Sequence, residues 1–226
     1  MVFGRTAPLS LRALIFGLSN GRRAGTVITL RPVTRTGVFF HVLISKWRPL
    51  MYKKYKPEEN DARRHAVAFT GPRPEKLGNI NAAQLIAALD AEIRRAVSDG
   101  YDTFYSGMSR GIDMTAARLI LDMKKKRRSI QLCCAIPFEG QQSRWSRHDK
   151  TEYEHLCRQA DRTVIVSGTA SRGAYLDRNI WMVDHCDRLI AVYDGISGGG
   201  TGCTVAYAEK MGVNVIYIDP RAFLEY

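Results

Sequence analysis

Two glycine-rich stretches hold residues of the types and spacing that suit anion binding. In Ser106-Gly107-Met108-Ser109-Arg110-Gly111-Ile112-Asp113, two glycines and two serines precede a helical pattern. Backbone N–H groups and hydroxyls there can approach a phosphate at the positive end of a helix dipole. No Lys-Ser/Thr pair follows the glycines, so the stretch is not a Walker A loop. The alternative reading is a tight turn with Ser109 or Asp113 as helix cap. In the second stretch, Asp194 to Thr204 (DGISGGGTGCT), four glycines fall within residues 198–202. That number carries a conformational-entropy cost beyond what a turn demands. It implies close approach by a ligand, with Gly199, Gly200, Thr201, Gly202 and Thr204 as candidates, or else a flexible lid.

Other side chains could complete a site. Thr70-Gly71-Pro72-Arg73-Pro74 stiffens a loop that presents Arg73, either as a planar donor fork suited to phosphate or carboxylate or as a solvated arginine in a rigid turn. In Pro137 to Trp145, Trp145 could flank a base while Gln141 bonds its edge; Trp145 could equally pack over the core edge. Arg178 and Asn179 fall near the start of a helical segment, and Asp184 lies seven residues after Asp177, on roughly the same face. Asp113, Asp184 and Asp194 are the carboxylates that could act as a general base or stabilise an oxocarbenium-like state. The run Lys124 to Arg128 is read as a solvated helix end whose cations complement the dipole.

These residues need elements to position them, and the chain beyond His65 supplies alternating ones. Short runs rich in β-branched or aromatic residues, each ending in Gly or Pro, predict strands at His65–Gly71, Tyr101–Met108, Ile130–Pro137, Arg162–Gly168, Arg188–Gly195 and Asn214–Pro220. Between them, apolar residues at helical spacing predict five helices. Ala82 to Val97 ends at Gly100, Ala116 to Met123 and Tyr153 to Ala160 follow, and the last two span Leu176 to Cys186 and Thr201 to Met211. The order βαβαβαβαβαβ predicts an α/β, Rossmann-like, doubly wound sheet of about six mainly parallel strands with helices on both faces. In such a sheet the strand-to-helix loops open on one edge, and those are the loops described above.

Composition narrows the function classes. The 226 residues are 45% hydrophobic and 25% charged, which excludes collagen-like, low-complexity and wholly disordered chains. No apolar run approaches the ~20 residues of a membrane helix, so no membrane partner is expected. The net charge of +12 is uneven: residues 1–50 carry eight basic residues and no acid, leaving +4 for residues 51–226. A nucleic-acid partner is therefore not favoured for the domain itself. The chain divides into a basic extension, 1–60, and a Rossmann-like domain, 61–226. For the extension three readings stand: an organellar transit peptide, a basic arm for nucleic acid or acidic lipid, or an unstructured stretch upstream of a start at Met51. Val38 to Ile44 could form one short strand there. Five cysteines without a CxxC pair suit a reducing compartment, and cytoplasmic location is the expectation. The cysteines are read as small buried side chains, and no metal site is expected.

Six segments, in order, carry a resemblance: AFTGPRP, FYSGMSRGIDMTAA, AIPFEGQQSRW, YEHLCRQADRTVIVS, DRNIWMVDHCDRLIAVYDG and GGTGCTVAYAEKMG. The stretch from about Ala66 to Pro220 resembles the YpsA-like family of the SLOG superfamily, which also includes the single-strand DNA-binding DprA proteins and the LOG phosphoribohydrolases. The resemblance implies a Rossmann-like fold with a nucleotide-derived ligand over the two glycine loops, often as a sensor. Carried over by position, the ligand loops are Gly71 with Arg73, then Ser106, Gly107, Gly111 and Asp113, then Gly199, Gly200, Thr201 and Gly202. One departure bears on catalysis. The LOG pattern resembles PGGxGTxxE with a catalytic glutamate, whereas here Cys203 stands at the Thr position and Ala206 at the Glu position, with Glu209 three residues late.

The leading expectation is a binding module for a small-molecule nucleotide ligand, with no certain cofactor. Arg73 would pair with phosphate, Ser109 would line the loop, Asp113 would position a ribose hydroxyl or the loop, and Trp145 would flank the base. The alternatives are a nucleotide or nucleoside-phosphate hydrolase at the same site and a DprA-like single-strand DNA binder. The oligomeric state is open, and a homodimer is compatible with the sequence.

Overall fold

A computed structural model of the chain describes residues 65–196 and 199–225. The extension 1–60, its Val38–Ile44 strand and Gly198 of the second glycine loop lie outside the described residues.

Six parallel strands form one sheet: β1 (Ala66–Thr70), β2 (Thr103–Ser106), β3 (Gln131–Ile136), β4 (Arg162–Ile165), β5 (Arg188–Val192) and β6 (Asn214–Ile218). Five helices connect them in turn: α1 (Ala82–Ser98), α2 (Ile112–Lys124), α3 (Arg147–Gln159), α4 (Arg172–Asp184) and α5 (Gly200–Lys210). The spatial order is β4-β3-β2-β1-β5-β6. The chain winds outward from β1 to β4, then returns to the other side of β1 with β5, where Ala68 faces Leu189 and Thr70 faces Ala191. The winding therefore reverses between β1 and β5, and a crevice opens beyond their carboxyl ends.

Strand alternation sorts the side chains onto two faces. Val67, Phe69, Phe104, Leu132, Ile190 and Val192 point toward α1, α2 and α3, where Leu89, Ile93 and Ile120 meet them fully buried. The opposite face is built from smaller residues, Ala66, Ala68, Ala135 and Ala191, and lets α4 and α5 sit close with Trp181, Met182, Val205 and Ala208. Near-complete burial of β1 and β5 explains their continuous apolar sequence.

The elements match the expected order, with ends displaced for local reasons. β2 stops at Ser106 because Met108 adopts a left-handed φ of 53° in the following turn. β4 ends at Ile165, three residues short of Gly168. α4 starts at Arg172, four residues before Leu176, because Ser171 caps it by accepting from the Ala174 amide at 3.1 Å. α3 begins with a polar turn, Arg147 to Lys150, which apolar spacing cannot reveal. α2 ends at Lys124, so the rest of the basic run lies beyond the helix, and Lys124 pairs with Asp161. Among the described residues, no helix is long and apolar enough to cross a membrane.

Candidate functional site

A cleft of about 480 Å³ occupies the β1/β5 crevice. Phe69, Thr70, Gly71, Pro72, Arg73 and Lys76 form one wall, Ser109 and Asp113 the second, Tyr175, Leu176, Arg178 and Asn179 the third, and Tyr193, Asp194, Gly200, Thr201 and Cys203 the fourth. The volume lies within the range of small-molecule sites, roughly 300–1,000 Å³.

The helix starts differ in a way that points to this cleft. Asn81, Ser146 and Ser171 cap α1, α3 and α4 through side-chain oxygens. α2 and α5 instead begin at Gly111 and Gly199, each with φ 92° and no side-chain cap. The first amides of a helix lack intrahelical acceptors and carry the positive end of its dipole. At both of these helices that end opens beside the cleft.

Beneath the cleft lies a buried ion pair. Arg178, 4% exposed, donates through Nη1 to the Gly107 carbonyl and stands 3.4 Å from Asp113 Oδ2. Its Nη2 donates to Ser109 Oγ at 3.0 Å, and its Nε has no partner among the described residues. Asp113 Oδ2 also accepts from the Ser109 amide at 3.2 Å. Burial pushes the Asp113 carboxyl above the usual carboxylate range, against the opposing field of Arg178. Burial likewise lowers the Arg178 guanidinium, opposed by Asp113. The pair fixes the β2–α2 loop: Ser106 donates to the Asp113 carbonyl at 2.8 Å and accepts from the Met108 amide at 3.2 Å.

The glycines separate by what surrounds them. A Cβ on Gly71 would meet Ile112 Cγ1 at 2.5 Å, and one on Gly107 would fall on the Arg178 guanidinium. Those two are required by packing. Among the described residues, a Cβ on Gly200 would find nothing nearer than Asn179 Nδ2 at 3.9 Å, and one on Gly199 only Lys76 Nζ at 3.7 Å. At Gly200 the described residues leave space.

Sequence candidates and cleft coincide in part. Gly71, Arg73, Ser109, Asp113, Arg178, Asn179, Asp194, Gly200 and Thr201 line it. Gly199 caps the helix at its edge. Ser106, Gly107 and Gly111 shape the loop from behind, and Thr204 is buried, donating to the Gly200 carbonyl at 2.7 Å and accepting from Asn179 at 2.8 Å. Gly202 lies in the first turn of α5. Trp145 is not in the cleft: it meets Tyr153 edge-to-face at 5.5 Å and packs on the three-helix core, the larger gain for an indole flanked by α3. Gln141 is 4% exposed and donates to the Met108 carbonyl at 3.3 Å, so it supports the loop. Asp184 ends α4, about 10 Å of helix rise from Asp177, and accepts from Tyr207 at 2.9 Å on the other side of the domain. Asp177 itself accepts from Ser167 at 3.1 Å. Glu209 accepts from Tyr217 at 2.6 Å and is not a cleft residue.

Sequence reasoning missed Lys76, Tyr175, Tyr193 and Cys203. Lys76 could have been found from its place three residues after Arg73, in a short 3-10 turn begun by Pro74. Tyr175, edge-to-face with Phe138 at 5.5 Å, had no local signal. Among the described residues, no group of three or more metal-type ligands converges.

An all-parallel, doubly wound sheet with a polar crevice at its reversal point defines a Rossmann-like α/β protein. The chain belongs to the YspA SLOG family (YpsA), whose model matches residues 67–220. It is 31% identical over 119 residues to the uncharacterized SPbeta prophage-derived protein YoqJ of Bacillus subtilis (strain 168), covering 47% of this chain and 69% of that protein. A UPF0398 protein of Staphylococcus epidermidis is 28% identical over 105 residues, covering 46% of this chain and 56% of the relative. Among solved structures, DNA processing protein A (DprA) from Streptococcus pneumoniae superposes with TM-score 0.50 at 17% identity, covering 68% of this chain and 50% of that one. That likeness is one of fold.

Proposed function

We propose that the cleft binds a nucleotide-derived small molecule, with its phosphate seated over the start of α5. The observation that carries this reading is the pairing of two glycine-started, uncapped helices with one cleft, while α1, α3 and α4 are capped by side chains. Arg73 and Lys76 bring two exposed cations to the same wall, suited to phosphate oxygens. Tyr175 and Tyr193 offer the aromatic faces that Trp145 does not. Asp194, at the end of β5, has the chemistry to accept from ribose hydroxyls. Asp113 holds the loop through Arg178 and Ser109, a positioning role. Family membership fits this reading, because the resemblance carries the ligand to the same loops.

Equilibrium titration of the full chain with nucleosides, nucleoside mono- and diphosphates, dinucleotides, ADP-ribose and single-stranded DNA tests it. The expected result is saturable binding that requires phosphate and is competed by another mononucleotide. Equal affinity for nucleosides and nucleotides, or binding of DNA alone, contradicts it. Product formation in the same mixtures would favour the hydrolase reading, with Asp194 the cleft carboxylate not paired with Arg178.

A further inference from the structure

Beside the cleft, but not lining it, an arginine holds two carboxylates. Arg73, Glu75 and Lys76 share the short 3-10 turn Pro74–Lys76 and its N-cap. Arg73 and Lys76 line the cleft, and among the described residues neither has a carboxylate partner. Lys76 Nζ reaches the start of α5, 3.7 Å from the place of a Cβ on Gly199. Glu75, adjacent to Lys76 and two residues from Arg73, is placed by sequence to pair with both. Its carboxylate instead accepts from Arg110 Nη2. Arg110 Nη1 stands 3.6 Å from Asp149 Oδ2 in the first turn of α3, so both ends of the fork are used outside the cleft.

The turn does not anchor itself. It has no side-chain cap and no buried residue, and it is closed by backbone bonds from Lys76 to Arg73 at 2.9 Å and from Leu77 to Pro74 at 3.1 Å. The β2–α2 loop that carries Arg110 is pinned from below by Arg178, Ser106 and Gln141. It also touches the turn: a Cβ on Gly111 would stand 3.0 Å from both the Pro72 carbonyl oxygen and Pro74 Cδ. Arg110 thus reaches from a fixed loop to an exposed one. Exposed ion pairs are individually weak and exchange partners readily, so a loose carboxylate beside two cations would compete with an anion for them. Glu75 is held below the usual carboxylate range, chiefly by a backbone hydrogen bond and, against burial, by Arg110 and then the field of Arg73.

We infer that Arg110 is a positioning residue for the anion-binding wall: it sequesters the Glu75 carboxylate and so leaves Arg73 and Lys76 free for phosphate oxygens. Arg110 acts through Glu75 and is not itself a ligand group of the cleft. The role rests on the phosphate reading of that cleft.

The full-length parent, Arg110→Gln, Glu75→Gln and the double variant are titrated with adenosine 5′-monophosphate, ADP-ribose and inorganic pyrophosphate. Arg110→Gln should raise Kd about three- to ten-fold, the scale of one or two exposed ion pairs, with Tm little changed. Glu75→Gln should leave Kd at or below the parent value, and adding it to Arg110→Gln should restore the parent affinity. A tie that only braces the turn predicts otherwise, since losing either partner would break it and the double variant would stay weak. Acylation of the Lys76 amine, mapped by peptide mass spectrometry with no compound added, gives a second measure. Arg110→Gln should slow it, because an ion-paired ammonium holds its proton, and the double variant should return it to the parent rate. No rescue by Glu75→Gln, or unchanged Lys76 labelling, overturns the inference and leaves the phosphate reading standing. Absence of binding of all three compounds to the parent removes the phosphate reading, and the role of Arg110 with it.

Discussion

Replacing Arg178 by Met would leave the Asp113 carboxylate buried without its cation, held by the Ser109 amide, at 3.2 Å, and the Ser109 hydroxyl. Breaking a buried pair by removing one partner costs about 3–5 kcal/mol, because the other charge stays in a low-dielectric site. The Gly107 carbonyl and Ser109 hydroxyl lose their Arg178 donors too. For a domain of this size each kcal/mol moves the midpoint by roughly 2–4 °C, so Tm should fall by about 6–20 °C. Urea unfolding followed by circular dichroism measures the change directly. The double variant Arg178→Met/Asp113→Asn removes the stranded charge and should be more stable than Arg178→Met alone. The effect should also depend on pH with a defined sign. The folded-state pKa of Asp113 is raised, chiefly by burial, so its contribution to stability is greatest below the unfolded carboxylate range and is lost as pH rises through the raised value. Without Arg178 the opposing field is gone, so the deficit of Arg178→Met should be larger near about pH 8 than near about pH 5. A loss below about 1 kcal/mol, strict additivity in the double variant, or a larger deficit at acid pH would refute the buried-pair argument.

Three further perturbations separate binding from folding. Gly200→Val should keep stability within about 1 kcal/mol, since among the described residues its Cβ would meet only Asn179 Nδ2, in ordinary contact at 3.9 Å, yet abolish nucleotide binding in a titration; Gly107→Ala should instead fail to fold normally, because its methyl lands on Arg178. Arg73→Gln removes an exposed charge-assisted donor worth about 1.5–3 kcal/mol, so the Kd should rise roughly ten- to a hundred-fold with Tm unchanged. Trp145→Leu should lower stability by about 1 kcal/mol through loss of the edge-to-face contact with Tyr153, and leave ligand affinity as it was.

The fold was legible because each strand is a short β-rich run ended by Gly or Pro and each helix keeps an apolar face, signals that act over a few residues. The glycine loops were legible for the same reason: Gly199 and Gly111 break the usual chemistry of a helix start within one turn. What local pattern could not supply was the pairing of Arg178 with Asp113 across 65 positions, which arises only when α4 packs on the sheet beside the β2–α2 loop. The same limit explains Trp145 and Gln141. Both lie in a polar loop after β3, but the loop folds inward, so one joins the core and the other supports Met108. Ser106 reads as a ligand group beside two glycines, yet strand alternation turns its hydroxyl into the protein. Asp184 is spaced to share a face with Asp177, but two helical turns take it to the far end of α4.

The most direct test of the central claim is thermal unfolding of the full chain and of Gly200→Val with nucleoside monophosphates, dinucleotides and ADP-ribose. A ligand at about 100 times its Kd adds ~2.7 kcal/mol, which corresponds to a midpoint rise of roughly 5–11 °C. Such a rise is expected for at least one phosphate-bearing compound in the parent chain and is expected to be absent in Gly200→Val. No shift with any compound, or an equal shift in both proteins, would contradict a phosphate seated over the start of α5.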